Sequence, residues 1–145
     1  MRALQPPSWP RPKGYANGIA ARGELVFVAG QIGWTPDGAF PNGFAAQFRQ
    51  TLVNTLAVLA EASAGPEHIV RMTWYITDKQ AYLDSLKEVG AAWRDLMGKT
   101  YPTMAVVQVT ALMEDAALVE IETTAVVPAS QTSTIDRVAE PQTTV

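Results

Sequence analysis

The residues best suited to chemistry are two glutamates on a strand-like segment. In Leu118-Val119-Glu120-Ile121-Glu122-Thr123, apolar and acidic residues alternate. Val119 and Ile121 therefore share one face of a strand, and Glu120 and Glu122 share the other. A carboxylate on such a face can move a proton or hold a water for attack once a substrate lies within hydrogen-bonding reach. The plain alternative is a solvated edge with two surface acids, and the strand pattern by itself favours it. Other candidates are weaker. His68 is the sole histidine, so a histidine-rich metal site is not available. Its position after Gly65-Pro66-Glu67, at the start of a strand, predicts a surface residue. Gly98-Lys99-Thr100 looks like the end of a phosphate-binding loop, but the glycine required five positions before Gly98 is Trp93. That motif is rejected.

Composition narrows the classes further. The absence of cysteine excludes disulfides, a thiolate nucleophile and a sulfur-ligated zinc. The net charge is -3, and the 11 Lys and Arg are scattered, so no basic stripe for a phosphate backbone forms. No nucleic-acid partner is expected. No segment approaches the ~20 apolar residues that span a bilayer, and the Pro-broken start lacks the apolar stretch of a signal peptide. A cytoplasmic protein with no membrane partner is the expectation.

These residues need elements to position them. Residues 1–13 read as an extended Pro-rich arm in which Trp9 packs on the domain or a neighbour. A short strand is expected at Ala16–Ala21 and another at Leu25–Ala29, the latter broken by Gly30-Gln31-Ile32-Gly33. Asn42 is a fair N-cap for a helix over Gly43–Ala64, where Phe44, Phe48, Leu52, Leu56 and Leu59 recur at three- and four-residue steps. His68–Thr77 alternates as a half-buried strand. Asp78 caps a second helix running to Met97, stopped by Gly98, with Leu83, Leu86, Gly90, Trp93 and Met97 as its buried stripe. Strands at Thr103–Leu112 and Ala117–Val127 complete a domain over 14–128. Residues 129–145 turn polar and read as a mobile tail. There is no internal repeat.

The expectation is a single α+β domain with a mixed sheet and two helices on one face. Met104–Val109 is apolar on both parities, as is Val26–Ala29. Something must cover the second face, either a loop or, more cheaply, a symmetry mate.

The C-terminal half sharpens this. Tyr101-Pro102-Thr103-Met104-Ala105-Val106-Val107, then Leu112, then Val119-Glu120-Ile121-Glu122, resembles the signature of the Rid family, the YjgF-like reactive-intermediate deaminases. Gly14-Tyr15, the segment Val28-Ala29-Gly30-Gln31-Ile32, Thr51-Leu52 with Asn54-Leu56, and His68-Ile69-Val70 leading to Asp78 are similar to the rest of that pattern. The resemblance spans about residues 13–128. It implies a chorismate-mutase-like fold and a homotrimer with clefts between subunits. It further implies cofactor-free, metal-free hydrolysis of enamines and imines, often 2-imino acids. Glu120 matches the glutamate that positions water, and Tyr15 and Gly30 match positions lining the cleft.

One position departs from the pattern. The arginine that grips the substrate carboxylate in the family is Met104 here. A bidentate guanidinium supplies charge and fixed geometry, and methionine supplies neither. Losing it from a buried carboxylate costs roughly 2–5 kcal/mol. Arg71 is a candidate replacement because its parity differs from the Val70/Met72 face, and Arg94 on the second helix is a less suited one. The leading expectation is hydrolysis of a labile enamine, imine or related small metabolite other than an ordinary 2-imino acid. Met104, Val106, Tyr15 and Trp34 would form an apolar pocket around Glu120. The alternative is a trimer that binds a metabolite without catalysis. Ribonuclease or translation-inhibitor activity fits the acidic charge and single histidine least.

Overall fold

A computed structural model describes residues 1–129. The expected polar tail lies, beyond its first residue, outside the described residues. The chain runs β1 (Arg2–Leu4), β2 (Gly18–Ala20), β3 (Glu24–Ile32), α1 (Phe44–Glu61), β4 (Ile69–Ile76), α2 (Lys79–Asp84), α3 (Leu86–Met97), β5 (Thr103–Gln108) and β6 (Val119–Val127). Four strands form one mixed sheet in the order β3-β6-β4-β5, antiparallel except for the parallel pair β4/β5. This is the α+β arrangement anticipated, with the helices on one face.

The first strands depart from expectation. β1 and β2 pair antiparallel with each other in a separate two-stranded ribbon rather than joining the main sheet. The arm is therefore tied to its own chain, and Gln5 fastens the Pro-rich turn by donating to Trp9 O (3.1 Å). Trp9 stays 58% exposed, so more than half of its surface is left uncovered by the described residues. β3 continues through Gly30 to Ile32, where the sequence suggests a break. The ladder absorbs the irregularity as a register shift between Val28 and Gln31.

α1 buries Phe44, Phe48, Leu52 and Leu59, as the three- and four-residue steps require, and also Gln47, Thr51 and Thr55. These polar members are satisfied. Gln47 receives the Leu118 N–H (2.8 Å) and donates to Ala116 O (2.9 Å), so it fixes the start of β6. The N-cap is Gly43, without a side-chain hydrogen bond, and not Asn42. At the second helix, Asp78 accepts from Gln80 N (2.9 Å) and Ala81 N (3.1 Å) as a cap should. The helix is nevertheless two helices, because Ser85 leaves helical geometry at φ -105, ψ 9. The phase shift exposes Leu83 and Leu86, and the stripe facing the core becomes Val89, Ala92, Trp93 and Met97.

His68 is buried at 6% exposure, not on the surface. Residues Pro66–His68 form one turn of 3-10 helix that folds the ring inward, where Nδ1 accepts the Gly65 N–H at 2.9 Å. A turn that brings residue i+3 back over residue i is invisible to a strand-parity reading. Among the described residues, no helix is long and apolar enough to cross a membrane.

Candidate active site

Strand alternation divides the sequence-derived site residues between the two faces of the sheet. The parallel register Met72↔Met104 and Trp74↔Val106 puts Met104 and Val106 on the helix-covered face. The register Tyr75↔Glu120 and Thr73↔Glu122 puts both glutamates on the opposite, open face. Within one subunit, therefore, Met104 and Val106 do not surround Glu120. The residues of the expected pocket are divided between the two faces.

The helix-face half is a cavity of about 470 Å³ between α3, the end of α2, β4/β5 and the segment Lys13–Tyr15. Tyr15, Met104 and Val106 all line it, with Trp74, Trp93 and Arg94. The Tyr15 segment is held to β5's approach by Ala16 N donating to Pro102 O (3.0 Å), and Pro102 is itself fully buried. Trp93 packs against Trp74 at a tilt of 41° with centroids 5.7 Å apart and donates Nε1–H to Thr100 O (3.0 Å). Trp74 is 3% exposed, and its Nε1–H has no acceptor among the described residues. Burial pushes the Tyr82 phenol above its ordinary 10.0, so it stays neutral in this wall.

The open-face half is polar. Gly30 is essential to its shape, since a Cβ there would collide with Glu120 Oε1 and force the carboxylate away. The glutamate is half-buried, seated over the Gly30 backbone beside the β3 register shift. Next to it, Tyr75 Oη donates to Glu122 Oε1 at 2.8 Å. That bond raises the Tyr75 phenol above its ordinary value, with desolvation and the Glu122 charge adding, while the Arg71 charge opposes. Arg71 thus stands on the face away from Met104 and cannot replace a guanidinium at position 104 within the same cavity. Arg94, ranked lower from the sequence, is the one that shares Met104's cavity. Trp34 belongs to neither half; its ring lies 6.0 Å from Phe40, in a depression beside Gln31 and Asn54.

The profile of the family described as endoribonuclease L-PSP matches residues 10–127. TdcF of Escherichia coli, provisionally named a reactive intermediate deaminase, is 36% identical over 113 residues, 77% of this chain and 85% of its own. The Rid-family protein YyfB of Yersinia pestis has a solved structure with TM-score 0.74 and 28% identity, covering 87% of this chain and 98% of that one. The chain belongs to the Rid family. A crystal structure of E. coli TdcF with bound serine aligns at TM-score 0.62 and 30% identity over 87% of this chain and 98% of that one.

As a Rid-family domain, the chain holds two residues that the sequence argument passed over. Trp74 and Tyr75 are neighbours on β4, so alternation sends one to the cavity and the other to the glutamates. Both were readable as opposite parities, but which residues each lies beside depended on the β4/β5 and β4/β6 registers. Arg94 follows Gly90 by four residues, the spacing that stacks side chains on one helix face.

Proposed function

We propose that the protein is a cofactor-independent hydrolase of a reactive enamine or imine, with Glu120 moving the protons, in a cleft completed between subunits of a homotrimer. The observation that carries this reading is the seat of the Glu120 carboxylate over Gly30, where only glycine leaves room for it. Hydrolysis of C=N needs water and proton transfer alone. Water adds to the carbon, Glu120 takes the water proton and passes it to nitrogen, and the carbinolamine releases ammonia to leave the carbonyl. Each cleft would join the Gly30/Glu120 half of one subunit to the Tyr15/Met104/Val106 half of the next. Phe27 and Leu25, 72% and 58% exposed on the open face, supply apolar area for such an assembly.

Met104 argues against an ordinary 2-imino acid gripped at that position. The serine held by TdcF supports a small-molecule ligand in this fold. Ribonuclease activity, which the family description names, is disfavoured by the -3 net charge and by the burial of the only histidine.

The test compares wild type, Met104→Arg and Glu120→Ala on freshly generated imines, reading carbonyl and ammonia release. Wild-type turnover falling about 10²–10⁴-fold in Glu120→Ala is the expected result. Turnover found only in Met104→Arg would replace the hydrolase with a metabolite-binding trimer. A monomer in analytical ultracentrifugation would remove the shared cleft.

A further inference from the structure

The helix-face cavity has a charge pattern that its apolar walls do not explain. Arg94 and Lys13 both line it, and no Asp or Glu does. Arg94 makes no ion pair among the described residues, whereas Arg49 is paired with Asp95, the residue next to Arg94. Gly90, one turn earlier on α3, is the residue the guanidinium lies over; a Cβ there would come within 3.3 Å of Arg94 Nη1. Any larger side chain at 90 would narrow the space the cation and the cavity share. The aromatic wall holds the second observation. The indole N–H of Trp74 is buried and without an acceptor, although neighbouring Trp93 satisfies its own on Thr100 O. That N–H has essentially no exposed surface, so it faces packed protein, and the Trp74 ring meets the cavity through its carbons. Two cations and the tilted or edge-on rings of Trp74, Trp93 and Tyr82 thus line a single void of about 470 Å³.

We propose that this cavity binds a small carboxylate with an aromatic or branched apolar body, and that Arg94 is the anchor for the carboxylate that position 104 does not supply. The rings of Trp74, Trp93 and Tyr82 take the apolar body, and Met104 fits itself to its outline. The Arg94 fork receives the two carboxylate oxygens. The site recognises acids larger than those a guanidinium at 104 would hold, because moving the cation from the strand to the helix leaves the sheet side of the cavity apolar. The proposal rests on the Rid-type reading only in naming this ligand as the substrate or its product.

The test titrates phenylpyruvate, an aromatic 2-oxo acid, into the full chain and follows quenching of tryptophan fluorescence at low salt. Pyruvate lacks the apolar body and 4-phenyl-2-butanone lacks the charge; both should bind at least about tenfold more weakly. Arg94→Ala should lose about tenfold or more in affinity for phenylpyruvate, Arg94→Lys should lose less, and Met104→Arg added to Arg94→Ala should regain part. Arg49→Ala removes the same charge outside the cavity and should bind as wild type. Equal affinity for the ketone, unchanged affinity in Arg94→Ala, or no saturable quenching at millimolar phenylpyruvate overturns the proposal. Arg94-dependent binding without imine turnover would sink the hydrolase and leave the anion site. Turnover of an aromatic imino acid with unchanged KM in Arg94→Ala would do the reverse.

Discussion

On the helix-covered face of the sheet, Met72, Val119 and Ile121 are 0% exposed and Trp74 is 3% exposed. On the open face of the same strands, Phe27 is 72% exposed, Leu25 58% and Val107 41%. Both sets come from alternate positions of β-rich segments with similar apolar content, so composition does not separate them. Coverage does. The first face is closed by α1 and α3 of its own chain, and burying each large apolar side chain there is worth about 1.5–3 kcal/mol. The second has no cover among the described residues, yet its polar residues are already arranged: Tyr75 is bonded to Glu122, and Glu120 is seated over Gly30. One face holds the fold together. The other carries two glutamates and a hydrogen-bonded tyrosine beside exposed apolar side chains.

The sharpest way to break this contrast is one phenylalanine on each face. Phe48 is 0% exposed and packs on Trp74 with centroids 4.7 Å apart. Phe48→Ala should cost about 3–5 kcal/mol of stability by denaturant unfolding. Phe27→Ser should cost the lone chain less than about 1 kcal/mol, since its ring already meets solvent. Its effect should appear instead as a lower sedimentation coefficient. Equal destabilisation by the two variants, with assembly unchanged, would mean that the open face is no interface.

Gly30→Ala comes next in size. The added methyl must displace the Glu120 carboxylate, because β3 and β6 are locked by ladder hydrogen bonds on either side of the register shift. Turnover should fall about 10²-fold, as a misplaced proton-transfer group costs, while thermal stability changes little. Restored turnover in Gly30→Ala with Glu120→Asp, whose shorter arm clears the methyl, would show that position and not fold was lost. Unchanged turnover in Gly30→Ala would remove Glu120 from the chemistry.

Much of this contrast was legible from residue order. α1 announced itself through Phe44, Phe48, Leu52 and Leu59, and the split of Val119/Ile121 from Glu120/Glu122 followed from strand alternation alone. What escaped depended on pairing between distant segments or on single dihedrals. That Met104 and Glu120 face opposite ways follows from the β4/β5 and β4/β6 registers, which join residues about thirty or more positions apart and leave no local trace. The break at Ser85 was hidden because Leu83 and Leu86 continue a helical spacing across it. His68 was misread because a turn, not a strand, sets its direction. That Arg94 and Met104 line one cavity was hidden in the same way, because it is fixed by packing and not by sequence distance.

The smallest effect expected lies at alkaline pH, where one tyrosine from each face can be compared. Tyr82 belongs to the cavity and Tyr75 to the open face, and both phenols are held above their ordinary 10.0. For Tyr82 the cause is burial, whereas for Tyr75 it is first the hydrogen bond to Glu122. In each case the folded chain keeps its proton more tightly than the unfolded chain. The associated stability is complete below the unfolded pKa near 10 and is lost as pH rises through the folded value. Melting temperatures measured between about pH 8 and pH 11 should therefore fall at the alkaline end. Tyr82→Phe and Tyr75→Phe should each flatten that fall by removing one titrating group. Glu122→Gln should also flatten it, by lifting a negative charge from beside the phenolate, but only while Tyr75 is present. Adding Glu122→Gln to Tyr82→Phe should therefore give the sum of the two changes, and adding it to Tyr75→Phe should give almost nothing more. If Glu122→Gln alters the alkaline slope equally in both backgrounds, the charge acts beyond Tyr75, and the two faces do not titrate independently.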